Sequence, residues 1–301
     1  MPDAAVAIQF DYMQGVVAPA RLTDGITNRQ MSILLKEAAD EASDTITDLV
    51  GSSTFTSQTR LRQIAAIRAG IEPISTELWT KTGKVTEVGM FQQAQLAADQ
   101  AMDRDFFLGM PGLAVTQYAR EMHISAAAGI QSVLSRKTNG YVLADRIYAN
   151  GKATTAHVGR IVDRGLILQK DARTIAKEVK GFYHPDVPGG ASYAAMRLAR
   201  TEINNAHHHT SIRMGQERPW VQGFEWNLSR SHPKPDPCDE LAEANDYGLG
   251  PGKYPKSSAP DRPHPQCLCF LTHIQEDDDQ FINNLSSGQY DSWLEQKGIA
   301  C

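Results

Sequence analysis

Apolar residues recur at helical spacing through most of this chain, and only near its C-terminal third does the period change. Met31, Leu34, Leu35, Ala38, Ala42, Ile46 and Leu49 form one stripe, which predicts a helix capped at Thr27 or Asn28 and ended by Gly51-Ser52-Ser53. A second stripe, Leu61, Ile64, Ile67, Ile71, Ile74 and Leu78, begins after Thr56-Ser57 and contains Pro73, where a kink or break is expected. The Ala- and Gln-rich run Val85–Met102 is helical in character, and a third helix is expected from Leu113 to about Arg136, before a turn at Asn139-Gly140. After Asn150-Gly151 the pattern predicts two short helices around a turn at Arg164-Gly165, with Asp171 capping the second. Pro185–Gly190 reads as a linker, and a helix follows over about Tyr193 to Gly215.

Beyond that helix the period drops to two. Phe224, Trp226 and Leu228 alternate, and so do Cys267, Cys269 and Leu271. Both sets predict strands with one buried face, in one small sheet under the preceding helix. The fold class expected is α+β, predominantly α: a helical N-terminal half, then a small α+β module with a short antiparallel sheet. The divisions expected are an irregular arm over 1–26, a helical partner-binding region over 27–150, the module over 151–275 and an acidic tail over 276–301, which begins at Glu276-Asp277-Asp278-Asp279 and has apolar surface for one short helix but not for a domain.

Composition narrows the picture. The 301 residues are 41% hydrophobic and 22% charged, with a formal net charge of -5, so the chain is an ordinary globular protein that would not bind DNA by overall charge. No apolar run is long enough for a bilayer, and the N-terminus lacks the pattern of a signal peptide. Basic residues do gather locally: Arg160, Arg164, Arg173 and Lys177 are candidate contacts to double-stranded DNA, although such a run is also what a solvated helix face looks like.

The chemistry concentrates between Arg197 and Phe270, which holds three of the four cysteines. If Cys267 and Cys269 lie in a strand, their sulfurs share a face, with His264 at the entry and Cys238 across a Gly/Pro loop. Cys238, His264, Cys267 and Cys269 would make a tetrahedral zinc set, with His232 as a spare. Cys-x-Cys is not the usual spacing of a zinc finger, so buried thiols or a disulfide from Cys238 stay open. Arg200 and Glu202, two apart on a helix, need different partners and read as a buried polar network. His207, His208 and His209 spread around about 300° of a helix and cannot share one ion.

Four blocks in order, RLARTEINNA (197–206), Trp226 in its strand, SHPKPDPCDELA (231–242) and PHPQCLC (263–269), resemble the phage head morphogenesis family of Mu F-like minor head proteins, as found in tailed phages of actinobacteria. Arg200, Glu202, Trp226, His232 and Asp236 fall within these blocks. Where the family ends HP-x-C-R-C, this chain has Leu268. The resemblance covers about Thr154 to Ile274. It implies a low-copy minor capsid protein in the virion, made in the host cytoplasm and placed inside the head at the portal vertex, with the portal and other capsid proteins as partners and no membrane. Its expected role is head assembly, DNA packaging or genome ejection. The family is not an established class of enzymes, and no assembled catalytic constellation is expected. The competing readings are a metal-dependent nuclease or hydrolase using Glu202 and the His/Cys cluster, and a stand-alone DNA-binding module.

Overall fold

The computed structural model describes residues 25, 27–49, 57–107, 115–168, 170–184, 187, 189–229, 232 and 235–299. The expected arm over 1–26 lies outside them apart from residue 25, as do parts of the Pro185–Gly190 linker. The helices are α1 (27–49), α2 (Ser57–Phe107), α3 (Val115–Ser135), α4 (Leu143–Ile167), α5 (Ala172–Phe182), α6 (Ala191–Glu217), α7 (Pro237–Glu243), α8 (Asp278–Ser286) and α9 (Asp291–Gln296). The strands are β1 (Val221–Asn227), β2 (Lys253–Pro255) and β3 (Phe270–Gln275). The fold is α+β and mainly helical. The described residues divide into two compact units, one within 24–88 and 135–200, the other within 89–134 and 201–301.

The first unit is built on the stripes. Ile67, Ile71, Ile74, Leu78 and Trp79 of α2 are buried, as are Val158, Val162, Ile175 and Val179 of α4 and α5. Pro73 does not break α2, which is assigned as one helix through it. Proline removes one backbone donor, and the buried Ile71 and Ile74 on either side keep the turn in place. The pair of short helices expected after Asn150-Gly151 is corrected as well. α4 runs unbroken through Asn150-Gly151 and Arg164-Gly165, because here glycine serves packing: a Cβ on Gly165 would sit 2.5 Å from Ile175 Cγ1. The turn falls later, and Asp171 does cap α5, accepting from the Thr174 backbone N–H at 3.0 Å. Trp79 Nε1 donates to Thr154 Oγ1 at 2.8 Å, which satisfies a buried indole.

The second unit carries the sheet, antiparallel in the order β2-β1-β3. Phe224 pairs with Tyr254 and Trp226 with Leu271. Phe224 and Trp226 are buried as the alternation predicts, but Leu228 is 39% exposed, since β1 ends at Asn227. α6 lies close across β1: a Cβ on Gly215 would come within 2.5 Å of the Phe224 ring. The stretch after 276 is not one short helix. It forms α8 and α9, whose Phe281, Tyr290 and Leu294 are buried. Trp220 takes Phe281, Tyr290 and Trp293 edge-on at centroid distances of 5.4, 5.4 and 5.1 Å, so few apolar residues suffice because they fill space around an indole.

Candidate metal centre

The site is assembled from two short backbone devices. At the start of α7, Asp236 caps the helix and accepts from the Cys238 backbone N–H at 2.7 Å. Asp239 closes the capping box by accepting from the Asp236 N–H at 2.8 Å. Pro237 occupies the first turn, where its missing donor is harmless. Cys238 is thereby fixed in that first turn, fully buried.

The second device is the turn of PHPQCLC. Gln266 adopts φ 59°, a left-handed conformation uncommon outside glycine. Its backbone N–H donates to Thr201 Oγ1 at 3.1 Å. The Cys267 carbonyl accepts from Asn204 Nδ2 at 3.3 Å and from the Arg262 guanidinium. Cys267–Leu268–Cys269 was expected within a strand and instead precedes β3. The alternation survives, because any extended backbone points successive side chains to opposite sides: both cysteines are buried and Leu268 is 52% exposed.

These devices bring the sulfurs together. Cys238 Sγ lies 3.4 Å from Cys267 Sγ and 3.3 Å from His264 Nε2. All three cysteines are free, and the sulfur separation is far beyond the ~2.05 Å of a disulfide. Cys269 Sγ faces His232 Nδ1 at 3.7 Å and accepts from the Ser229 N–H at 3.4 Å. His264 Nε2 is 3.1 Å from Asp236 Oδ2, with Nδ1 3.0 Å from the Pro265 carbonyl. His232 sits between carboxylates, Nε2 at 3.0 Å from Asp239 and Nδ1 at 3.6 Å from Asp236.

Three groups of side chains place their ligand atoms within 4.8 Å of one another: His232, Cys238 and Cys269; Cys238, His264 and Cys267; His232, Asp236 and Asp239. Each of these groups could hold a metal ion. This corrects the expectation of a chain with no assembled constellation, on which its description as a non-enzyme rested; the loop after α7 and the Gln266 turn close a gap that spacing alone left open. Burial pushes the Cys238 thiol up to about 12. Cys269 is raised, first by its hydrogen bond with Cys267 and then by burial, while that same bond, followed by the charge of Arg262, lowers Cys267. The Asp239 hydrogen bond raises His232.

The other expected residues fall in separate places. Arg200 donates to Asn28 Oδ1 at 3.2 Å. Glu202 is buried and belongs to none of the three groups. Trp226 backs the site in a core shared with Phe224, Tyr254, Leu271 and the three cysteines. His207, His208 and His209 diverge as the helix geometry requires, toward Gln100, the Pro260 carbonyl and Asp261. Arg160, Arg164, Arg173 and Lys177 are exposed on α4 and α5. Thr201, Asn204, Asp239 and Arg262 were not anticipated. The i, i+3 spacing of Thr201 and Asn204 put them on one face of α6, but nothing local said what they would meet.

No family model, curated protein or solved structure matches the chain. In the fold, Thr201 and Asn204 on α6, Trp226 on β1, His232, Asp236 and Asp239 around the start of α7, and His264 to Cys269 before β3 all converge on the sulfur cluster.

Proposed function

We propose that the C-terminal module is a zinc-binding unit that holds one ion among Cys238, His264, Cys267 and Cys269. The observation that carries this is the pair of contacts at Cys238, 3.4 Å to sulfur and 3.3 Å to nitrogen. A tetrahedral zinc has edges of about 3.8 Å between sulfurs and about 3.5 Å between sulfur and nitrogen, from bond lengths near 2.3 and 2.0–2.1 Å. Both contacts at Cys238 lie within a few tenths of an ångström of those edges. Metal analysis of protein purified without chelator tests it. One zinc per chain, lost in Cys238→Ser and Cys267→Ser, is expected; a folded, metal-free protein would sink the reading.

What the ion does has two readings. A metal-dependent hydrolase or nuclease is supported by the carboxylates next to the ligands, Asp236 at 3.1 Å from His264 and Asp239 at 3.0 Å from His232. Such groups can orient a metal-bound imidazole or take a proton from water. In this reading Asp236, not Glu202, is the candidate base. Assay of DNA cleavage with Zn²⁺ and with Mg²⁺ decides it: loss of metal-dependent cleavage in both Asp236→Asn and His264→Ala supports the enzyme, and no cleavage by the zinc-loaded wild type removes it.

The second reading places the module in a minor head protein of a tailed phage, at the portal vertex, with the ion locking the four motif blocks together. The motif order supports it, and the exposed bases of α4 and α5 would face packaged DNA. Cross-linking mass spectrometry on purified particles checks this: links to the portal at low copy number are expected, and absence from both full particles and proheads rules it out.

A further inference from the structure

The candidate centre offers five soft or nitrogen donors, one more than a tetrahedral ion uses: Cys238, Cys267, Cys269, His232 and His264. Two sets of four are chemically reasonable. Three sulfurs with one histidine carry a net negative charge, because three thiolates outweigh a divalent ion by one. Two sulfurs with both histidines are neutral. The neighbour that separates these cases is Arg262.

Arg262 lies five residues before Cys267 and donates through one terminal nitrogen to the Cys267 carbonyl. Its Nε is buried and has no hydrogen-bond partner. Among the described residues no ion pair joins it to a carboxylate: Asp261 faces His209, and Asp236 faces His264 and His232. The side chains it does influence are His207 and His208, both held neutral, first by burial and then by the guanidinium itself. Arginine does not shed its proton, and with its Nε closed off from water the guanidinium gains from negative charge nearby. Thiolates of a metal-bound cluster would supply that charge at the residue whose carbonyl Arg262 already holds, and neutral thiols would supply none.

Both histidines have a carboxylate neighbour, Asp236 at 3.1 Å from His264 Nε2 and Asp239 at 3.0 Å from His232 Nε2. His264 is the nearer to a sulfur: its Nε2 lies 3.3 Å from Cys238 Sγ, whereas His232 Nδ1 lies 3.7 Å from Cys269 Sγ. His264 Nδ1 is taken by the Pro265 carbonyl at 3.0 Å, which leaves Nε2 as its metal-facing nitrogen.

We propose that Arg262 is the built-in counter-charge of a three-thiolate, one-histidine zinc centre, and that it selects that ligand set over the neutral one with two thiolates. Its guanidinium neutralises the surplus thiolate charge in a site shielded from water, and its hydrogen bond to the Cys267 carbonyl fixes the loop that presents two of the sulfurs. Arg262 is a positioning residue: it acts through the ligands and does not bind the ion. The inference rests on the zinc reading above.

The test uses the full chain loaded with Zn²⁺ or Co²⁺. Cobalt reports the number of thiolates through the intensity of its sulfur-to-metal charge-transfer band. The wild type is expected to give a three-thiolate band and Cys269→Ser a two-thiolate one. Zinc affinity, measured by competition with a chromophoric chelator, is expected to fall about 10- to 100-fold in Arg262→Met, the range typical of lost outer-sphere partners. Arg262→Lys, which keeps the charge, is expected to recover most of it. If Arg262→Met does not fold, Arg262→Gln removes the charge and keeps donors for the Cys267 carbonyl. Equal affinity in the wild type and the uncharged variant overturns the proposal, as does an unchanged cobalt band in Cys269→Ser. A wild-type chain that binds neither ion defeats the zinc reading itself, a result distinct from tight binding that ignores Arg262.

Discussion

The two compact units solve the problem of an interior in opposite ways. The unit comprising 24–88 and 135–200 buries branched aliphatics such as Ile67, Ile71, Val158 and Val179, and leaves its ion pairs, Arg68 with Asp163 and Lys180 with Asp40, near the solvent. The unit holding 201–301 buries three thiols, His208, Glu202 and Arg218 among its aromatics. An aliphatic core is complete when its side chains touch. A core of sulfur and charge is complete only when each polar group is matched, so its stability depends on what occupies the site and on pH. The same chain therefore has one half with a mainly aliphatic interior and one whose interior carries thiols and ionisable groups.

The largest break in this contrast comes from the ligands. On the proposed zinc reading, removing the ion with a chelator, or Cys238→Ser, is expected to unfold the sheet module, with a loss above about 5 kcal/mol given the apparent affinity of structural zinc. Near-ultraviolet circular dichroism from Trp220 and Trp226 would collapse, while most far-ultraviolet helicity would persist. Next comes Trp220→Ala, which empties the centre of the α8–α9 cluster and is expected to cost about 3–5 kcal/mol in denaturant melts.

Acid sharpens the comparison at intermediate size. Burial, followed by Arg262, lowers His207 to about 4. Above an ordinary histidine pKa of about 6.5 the ring is neutral in both folded and unfolded chains, and pH has no effect through it. Between 6.5 and 4 only the unfolded chain takes the proton, so stability falls as pH drops, by about 3 kcal/mol in all. Urea midpoints at pH 7 and pH 4.5 should differ for the wild type, and less for His207→Gln. In the aliphatic unit, Gly165→Ala drives a methyl toward Ile175, 2.5 Å from its Cγ1, with an expected loss of about 1–3 kcal/mol. Smallest of all, Arg68→Ala removes an exposed ion pair and is expected to move the melting curve by about 1 kcal/mol or less.

The sequence made the aliphatic half easy to read in outline and hard to read at its joints. Stripes such as Ile67, Ile71, Ile74 and Leu78 identify a helix because burial follows the period. Glycine misled, since Gly151 and Gly165 look like stops and are in fact places where α4 comes close to Trp79 and Ile175. In the other half the alternation of Phe224 and Trp226, and of the two cysteines, gave the inward faces from local geometry. What stayed hidden was everything fixed by contacts distant along the chain. Thr201 and Asn204 hold the Gln266–Cys267 turn across 65 and 63 residues, and no pattern within either segment announces the other. Tyr290 and Trp293 looked too sparse to matter because their partner, Trp220, lies before the sheet.

That long separation also sets an order of events during synthesis. At about 5–20 residues per second, the α6 face bearing Thr201 leaves the ribosome several seconds before Gln266, 65 residues later. Helices form within about a microsecond. The nascent chain can thus carry the α6 face well before Cys267 and Cys269 exist, and these two thiols emerge toward a helix that is already there.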